Sequence, residues 1–160
     1  METLTPLAPA ARWLFHLQAF ARLVLLWVPV VTIGVVAGVF LWDAVPAIVL
    51  GGAFLFLQFV LAMWWPFLTW QRWGWALDDE ELLIGRGVLF RSLTAIPVGR
   101  IQHVDVRQGP IEQALGLARV IVHTASGLGG DGIVPGLEAA EAEALRDRLV
   151  ARTTKTDDGV

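Results

Sequence analysis

The chain has 160 residues, a net charge of −3, and 56% hydrophobic against 17% charged residues, which is too apolar for an ordinary soluble domain. The acidic balance argues against a general polyanion binder, since nucleic-acid domains carry a basic surplus. With no cysteine, disulfide frameworks and thiolate metal sites are excluded.

Taken in order, residues 1–22 place Trp13, Leu14, Leu17 and Ala21 on one helical face between Arg12 and Arg22. This reads as an N-terminal segment lying at a membrane interface. Residues 23–42 carry no charge. At about 1.5 Å per residue they reach about 30 Å, the thickness of a hydrocarbon core. Asp43 and Pro46 interrupt the run, and a second apolar stretch follows over 47–66, with Gln58 as its only strongly polar side chain. Residues 23–70 are therefore expected to form a transmembrane helical hairpin. A signal peptide fits poorly, because the run is too long and Val39-Phe40-Leu41-Trp42 offers no small-residue cleavage site.

Arg12 and Arg22 precede the first span and Arg72 follows the second, while the turn has only Asp43. The positive-inside rule puts both termini in the cytoplasm. Trp64, Trp65, Trp70, Trp73 and Trp75 read as an aromatic belt at the exit of the second span. Gly34 and Gly38 form a GxxxG pattern, open to homodimerisation or to packing within the hairpin. Gly51-Gly52 on the second span favours packing within the hairpin.

From residue 72 to 152 the pattern changes to short β-rich segments between turns. Six strands are expected, over 73–77, 81–86, 88–96, 101–107, 117–124 and 132–134, with one helical turn over 111–115. Residues 127–132 read as a glycine-rich hairpin loop without the ending of a phosphate loop. Residues 138–152 read as an amphipathic helix, with Glu138, Glu141 and Glu143 early, Arg146, Arg148 and Arg152 late, and an apolar stripe of Ala142, Leu145 and Leu149. Residues 153–160 read as a disordered tail.

The order of motifs in this half is distinctive. Glu80-Glu81-Leu82-Leu83-Ile84-Gly85-Arg86-Gly87-Val88-Leu89-Phe90-Arg91, Ile96-Pro97, Arg100-Ile101-Gln102-His103-Val104-Asp105, Gln108-Gly109-Pro110, Leu115-Gly116-Leu117-Ala118 and His123-Thr124-Ala125 follow one another, then Ile133-Val134-Pro135-Gly136-Leu137. Together they closely resemble the YdbS-like bacterial pleckstrin-homology (PH) family over about residues 70–152. The resemblance implies a mainly-β PH-like domain of bent antiparallel sheets closed by a C-terminal helix. PH domains usually have seven strands, so one strand is hidden in the membrane-proximal segment or this version is shortened. The resemblance also implies a bacterial inner-membrane protein that partners a larger relative, in a pair associated with tolerance of membrane-active antimicrobial peptides.

The polar residues of this region supply the candidate contacts. Alternation puts Ile101, His103, Asp105 and Arg107 on one strand face, and His123 on a strand expected to neighbour it. A His–Asp pair suits a general base, yet Ser92 and Ser126 lack a nucleophile-elbow context, so no catalytic residue is assigned. The i, i+2 spacing of His103 and Asp105 matches no metal signature, and neither metal nor cofactor is assigned. Arg86, Arg91, Arg100, Arg107 and Arg119 form the candidate phosphate-contacting set. The expected function is a non-enzymatic, membrane-anchored interaction module that binds a copy of itself or a larger membrane relative. The alternatives are a sensor of anionic lipid headgroups and, at lowest weight, a membrane-bound enzyme using His103 and Asp105. Nucleic acid is not an expected partner.

Overall fold

The computed structural model describes residues 4–124 and 132–157. The glycine-rich loop, apart from Gly132, lies outside them, as do Ala125 and Ser126. The chain divides into two compact units, one of residues 15–68 and one of residues 1–14 with 69–160.

The first unit is helical. α1 (Ala11–Arg22) enters it and continues through one π-helical stretch, Leu23–Trp27, into α2 (Val28–Leu41). α3 (Ala44–Gln71) follows after two residues. Two stretches, Ala11–Leu41 and Ala44–Gln71, are long and apolar enough to cross a membrane, and most of their apolar side chains are exposed rather than buried in protein. Glycines let the two helices approach: a Cβ on Gly38 would lie 2.9 Å from that of Ala47, and one on Gly51 would lie 2.3 Å from Val35. The glycine pattern thus serves packing within the hairpin, while Gly34 and Gly52 face open space. Gln58 lines a cleft of about 390 Å³ together with Arg22, Trp27 and Trp65, beside the π-helical stretch.

The second unit holds two antiparallel sheets. The first has the order β1-β2-β3-β4, made of β1 (Thr5–Pro6), β2 (Gly74–Leu77), β3 (Glu81–Arg86) and β4 (Ser92–Pro97). The second has the order β5-β6-β7, made of β5 (Ile101–Arg107), β6 (Leu117–Thr124) and β7 (Gly132–Glu138). A 3₁₀ turn, Val98–Arg100, links the sheets, and α4 (Pro110–Ala114) links β5 to β6. α5 (Ala139–Asp157) closes the fold.

Leu82, Ile84 and Ile96 from the first sheet, and Val120, Val122 and Val134 from the second, are buried. Ala142, Leu145 and Leu149 of α5 are buried too, as their helical spacing requires. Each fully buried leucine contributes about 1.5–3 kcal/mol of transfer free energy.

The described residues hold seven strands, not six. The missing strand is β1, contributed by the N-terminal segment: Thr5 pairs with Trp75 and Pro6 with Gly74. Leu7, Ala8, Ala11 and Leu14 are buried. The Ala8 N–H donates to the Gly136 carbonyl at 3.2 Å, and Trp70 Nε1 donates to the Ala8 carbonyl at 3.1 Å. Trp70 and the buried Trp75 therefore belong to this unit, while Trp64 and Trp65 are exposed.

Other boundaries differ for local reasons. The strand expected over 88–96 starts only at Ser92, because Gly87, at φ +116°, turns the chain into a bend over 88–90. β7 runs on past Pro135 to Glu138, with Gly136 at φ +66°. A register shift between Ile101 and His103 sends Ile101 into the core, away from the face of His103 on which simple alternation puts it. α5 continues beyond residue 152 to Asp157, so the start of the expected tail is helical.

Among the described residues of this unit, one carboxylate is buried and ion-paired. Glu112 of α4 is 1% exposed. Its Oε2 accepts the Gly109 N–H at 2.7 Å, and Arg119 of β6 clamps the carboxylate through Nε at 2.8 Å and Nη2 at 2.7 Å. The pair ties the β5–β6 connection to the strand that comes after it. Glu112→Ala should leave Arg119 without its partner and lower stability by roughly 2–3 kcal/mol, the half-exposed arginine limiting the loss. Denaturant unfolding of the full chain in detergent measures it. Gly136→Ala should cost about 1–2 kcal/mol for its left-handed backbone alone. Its new Cβ would also sit 2.5 Å from that of Ala11, so amide exchange at Ala8 should quicken.

Candidate functional site

The outer face of β5 and β6 gathers four of the sequence candidates. Register places His103 opposite His123, Asp105 opposite Ile121 and Arg107 opposite Arg119. Asp105 is the hub. Its Oδ1 lies 2.8 Å from His103 Nε2, and its Oδ2 accepts from Arg107 Nη2 at 3.1 Å and lies 3.6 Å from His123 Nε2. The two imidazoles stack, with centroids 6.1 Å apart. The alternation of β5 and β6 turns Val104, Val106, Val120 and Val122 to the opposite face, leaving this one polar.

Asp105 is held below the ordinary carboxylate range, first by the Arg107 hydrogen bond and then by the hydrogen bond and charge of His103, against partial desolvation that raises it. A carboxylate held ionised by its neighbours is a weak proton acceptor. The arrangement is that of a charged contact patch: His103 and Arg107 are exposed, and Asp105 is partly shielded beneath them. Among the described residues, no three metal-ligating side chains are grouped to hold an ion.

The remaining candidates lie elsewhere. Arg119 is engaged by Glu112, and Arg100 is exposed at the end of the 3₁₀ turn. Arg86 and Arg91 line a cleft of about 650 Å³ on the first sheet, floored by Gly74 and Gly85 and walled by Leu4 and Leu93. The five arginines grouped by sequence proximity therefore do not form one cluster. The cleft adds Arg72, which sequence reasoning used only as an orientation signal. Its position directly after α3 was the available clue.

Because the folded state lowers the Asp105 pKa, the stability it adds is complete above the unfolded value, about 3.9. That contribution disappears as pH falls through the lower folded value. Carbon NMR titration of the Asp105 carboxyl should give a midpoint below about 3.9. Arg107→Gln and His103→Gln should each raise that midpoint.

The comparisons with known proteins match this architecture. The profile of the family described as Bacterial PH domain matches residues 14–153. The chain is 30% identical to the transmembrane protein YdbS of Bacillus subtilis (strain 168) over 131 residues, covering 82% of this chain and 80% of that protein. No solved structure gives a significant match. Two apolar helices followed by bent antiparallel sheets and a C-terminal helix, with a family match across most of the length, leave one assignment: the chain belongs to the bacterial PH domain family, in its YdbS-like form.

Proposed function

We propose that the chain is a non-enzymatic interaction module held in the bacterial inner membrane by its helical hairpin, with both termini in the cytoplasm. One observation carries this reading. β1 precedes the hairpin and β2 follows it, yet they are paired neighbours in one sheet. Any membrane passage between them must return the chain to the side it left, which is what two spans do. The arginines flanking the hairpin, set against Asp43 in its turn, favour the cytoplasm as that side.

The partner is a protein: a second copy of this chain or a larger PH-like membrane relative. β5 is an edge of its sheet, so its main chain is open to strand addition beside the charged patch of His103, Asp105 and Arg107. The resemblance extends the proposal to tolerance of membrane-active antimicrobial peptides. A second reading, contact with anionic lipid headgroups, is favoured by the cleft that holds Arg86 and Arg91.

The cysteine-free sequence makes the topology directly testable. An impermeant thiol reagent on intact cells should label Asp43→Cys, and should label Gln113→Cys only after permeabilisation; the reverse pattern overturns the orientation. A photo-crosslinker at His103 should capture a discrete protein in native membranes, and one at the exposed Ala144 of α5 should not. Equal capture at both positions, or none at His103, removes the β5 surface from the proposal.

A further inference from the structure

The cleft on the first sheet adjoins an apolar tip. At the β3–β4 turn, Leu89 is 76% exposed and Phe90 89%, and Leu93 on the cleft wall is 65% exposed. Soluble surfaces seldom show large apolar side chains clustered so openly. The tip is a built feature: Gly87 sits at φ +116°, and a Cβ there would lie 1.8 Å from the Phe90 carbonyl oxygen. Only glycine allows that closure.

Arg86 and Arg91 flank the tip, and both line the cleft with Arg72. Among the described residues no acidic side chain lines it, and none of the three arginines has a side-chain hydrogen bond or ion pair. Gln71, the last residue of α3, belongs to the lining as well, so the cleft starts where the second apolar helix ends. Exposed apolar side chains among uncompensated cations, at the end of such a helix, match the two layers of an anionic leaflet: hydrocarbon below and phosphate above.

We propose that the β3–β4 turn is a bilayer-inserting prong. Leu89 and Phe90 enter the acyl boundary, while Arg72, Arg86 and Arg91 bind the phosphates of anionic lipids in the adjoining cleft. This rests on the membrane-anchored reading above and adds a second, lipid-selective contact that sets the attitude of the sheets on the leaflet. Guanidinium groups suit the task because they stay charged and grip phosphate oxygens in pairs.

The test uses the full chain in nanodiscs, spin-labelled at single introduced cysteines, with oxygen and a water-soluble nickel complex as collision probes. Labels go at Phe90→Cys, at Leu57→Cys in α3 and at Ala144→Cys on the outside of α5. In nanodiscs containing phosphatidylglycerol, position 90 should favour oxygen as position 57 does, and position 144 should favour nickel. Pure phosphatidylcholine, or Arg72→Gln with Arg86→Gln and Arg91→Gln, should cut the oxygen preference at position 90 several-fold. If position 57 reports lipid while position 90 matches position 144 in both compositions, the prong is refuted and the anchor stands. If position 57 also reports water, the anchor itself fails. Spin–spin broadening at position 90 that vanishes on dilution with unlabelled chain would assign the tip to a second copy and overturn the lipid proposal.

Discussion

The pairing of β1 with β2 is the constraint on which the rest depends. Two residues, Thr5 and Pro6, occupy the edge of the first sheet, and everything from Ala11 to Gln71 is an excursion between two neighbouring strands. The short strand adds little by itself, but the segment after it is firmly docked. Leu7, Ala8, Ala11 and Leu14 are buried, and Ala8 bonds through both its N–H and its carbonyl. Removing the residues before the hairpin would take away one edge of the sheet and part of its apolar cover. A fragment beginning at residue 72 is therefore not the domain. The folding unit reaches across the hairpin in sequence, and the hairpin must let its two ends meet.

Electrostatics in this unit are sorted by partner. Glu112 is consumed by Arg119 and Gly109, Asp105 by Arg107 and the histidines, and Asp79 by Arg152, which also donates to the Asp78 carbonyl. These contacts differ in weight. The Glu112 carboxylate is buried and multiply bonded, so it has much to lose; the exposed pairs are screened and add little. The acidic charges that cancel the arginines over residues 72–110 in a simple count thus stand elsewhere, and among the described residues the cleft is lined by arginines without a carboxylate. Net charge was a poor guide to local field.

Much of this was legible because it rests on local periodicity. The charge-free runs gave the hairpin, two-residue alternation gave the strands of the second sheet, and the stripe of Ala142, Leu145 and Leu149 gave the closing helix. The features that escaped depended on partners distant in sequence. Thr5-Pro6 has no period to read, and its partner strand begins only after the hairpin. Ile101 looked outward by alternation until a bulge reversed it. Glu112 looked like one polar residue in a short helical turn, and nothing local pointed to Arg119 seven residues on. The shared face of His103, Asp105 and Arg107 was legible from alternation along β5, and its neighbour His123 from the strand that follows α4. The arginine cluster was not, because proximity in sequence says little about which sheet a side chain joins.

A PH-like fold does not assign a ligand; its surfaces do. Here two candidate surfaces stand on different sheets, the charged patch on β5 and β6 and the arginine cleft at β2, β3 and β4. They share no residue. They also differ in character. The patch is internally neutralised, with Asp105 at its centre, and suits a partner read by shape, main-chain edge and modest charge. The cleft has unspent cations beside exposed hydrocarbon, and suits an amphiphile. An anchored module with both can hold its sheets at a defined attitude on the leaflet while a protein edge docks elsewhere.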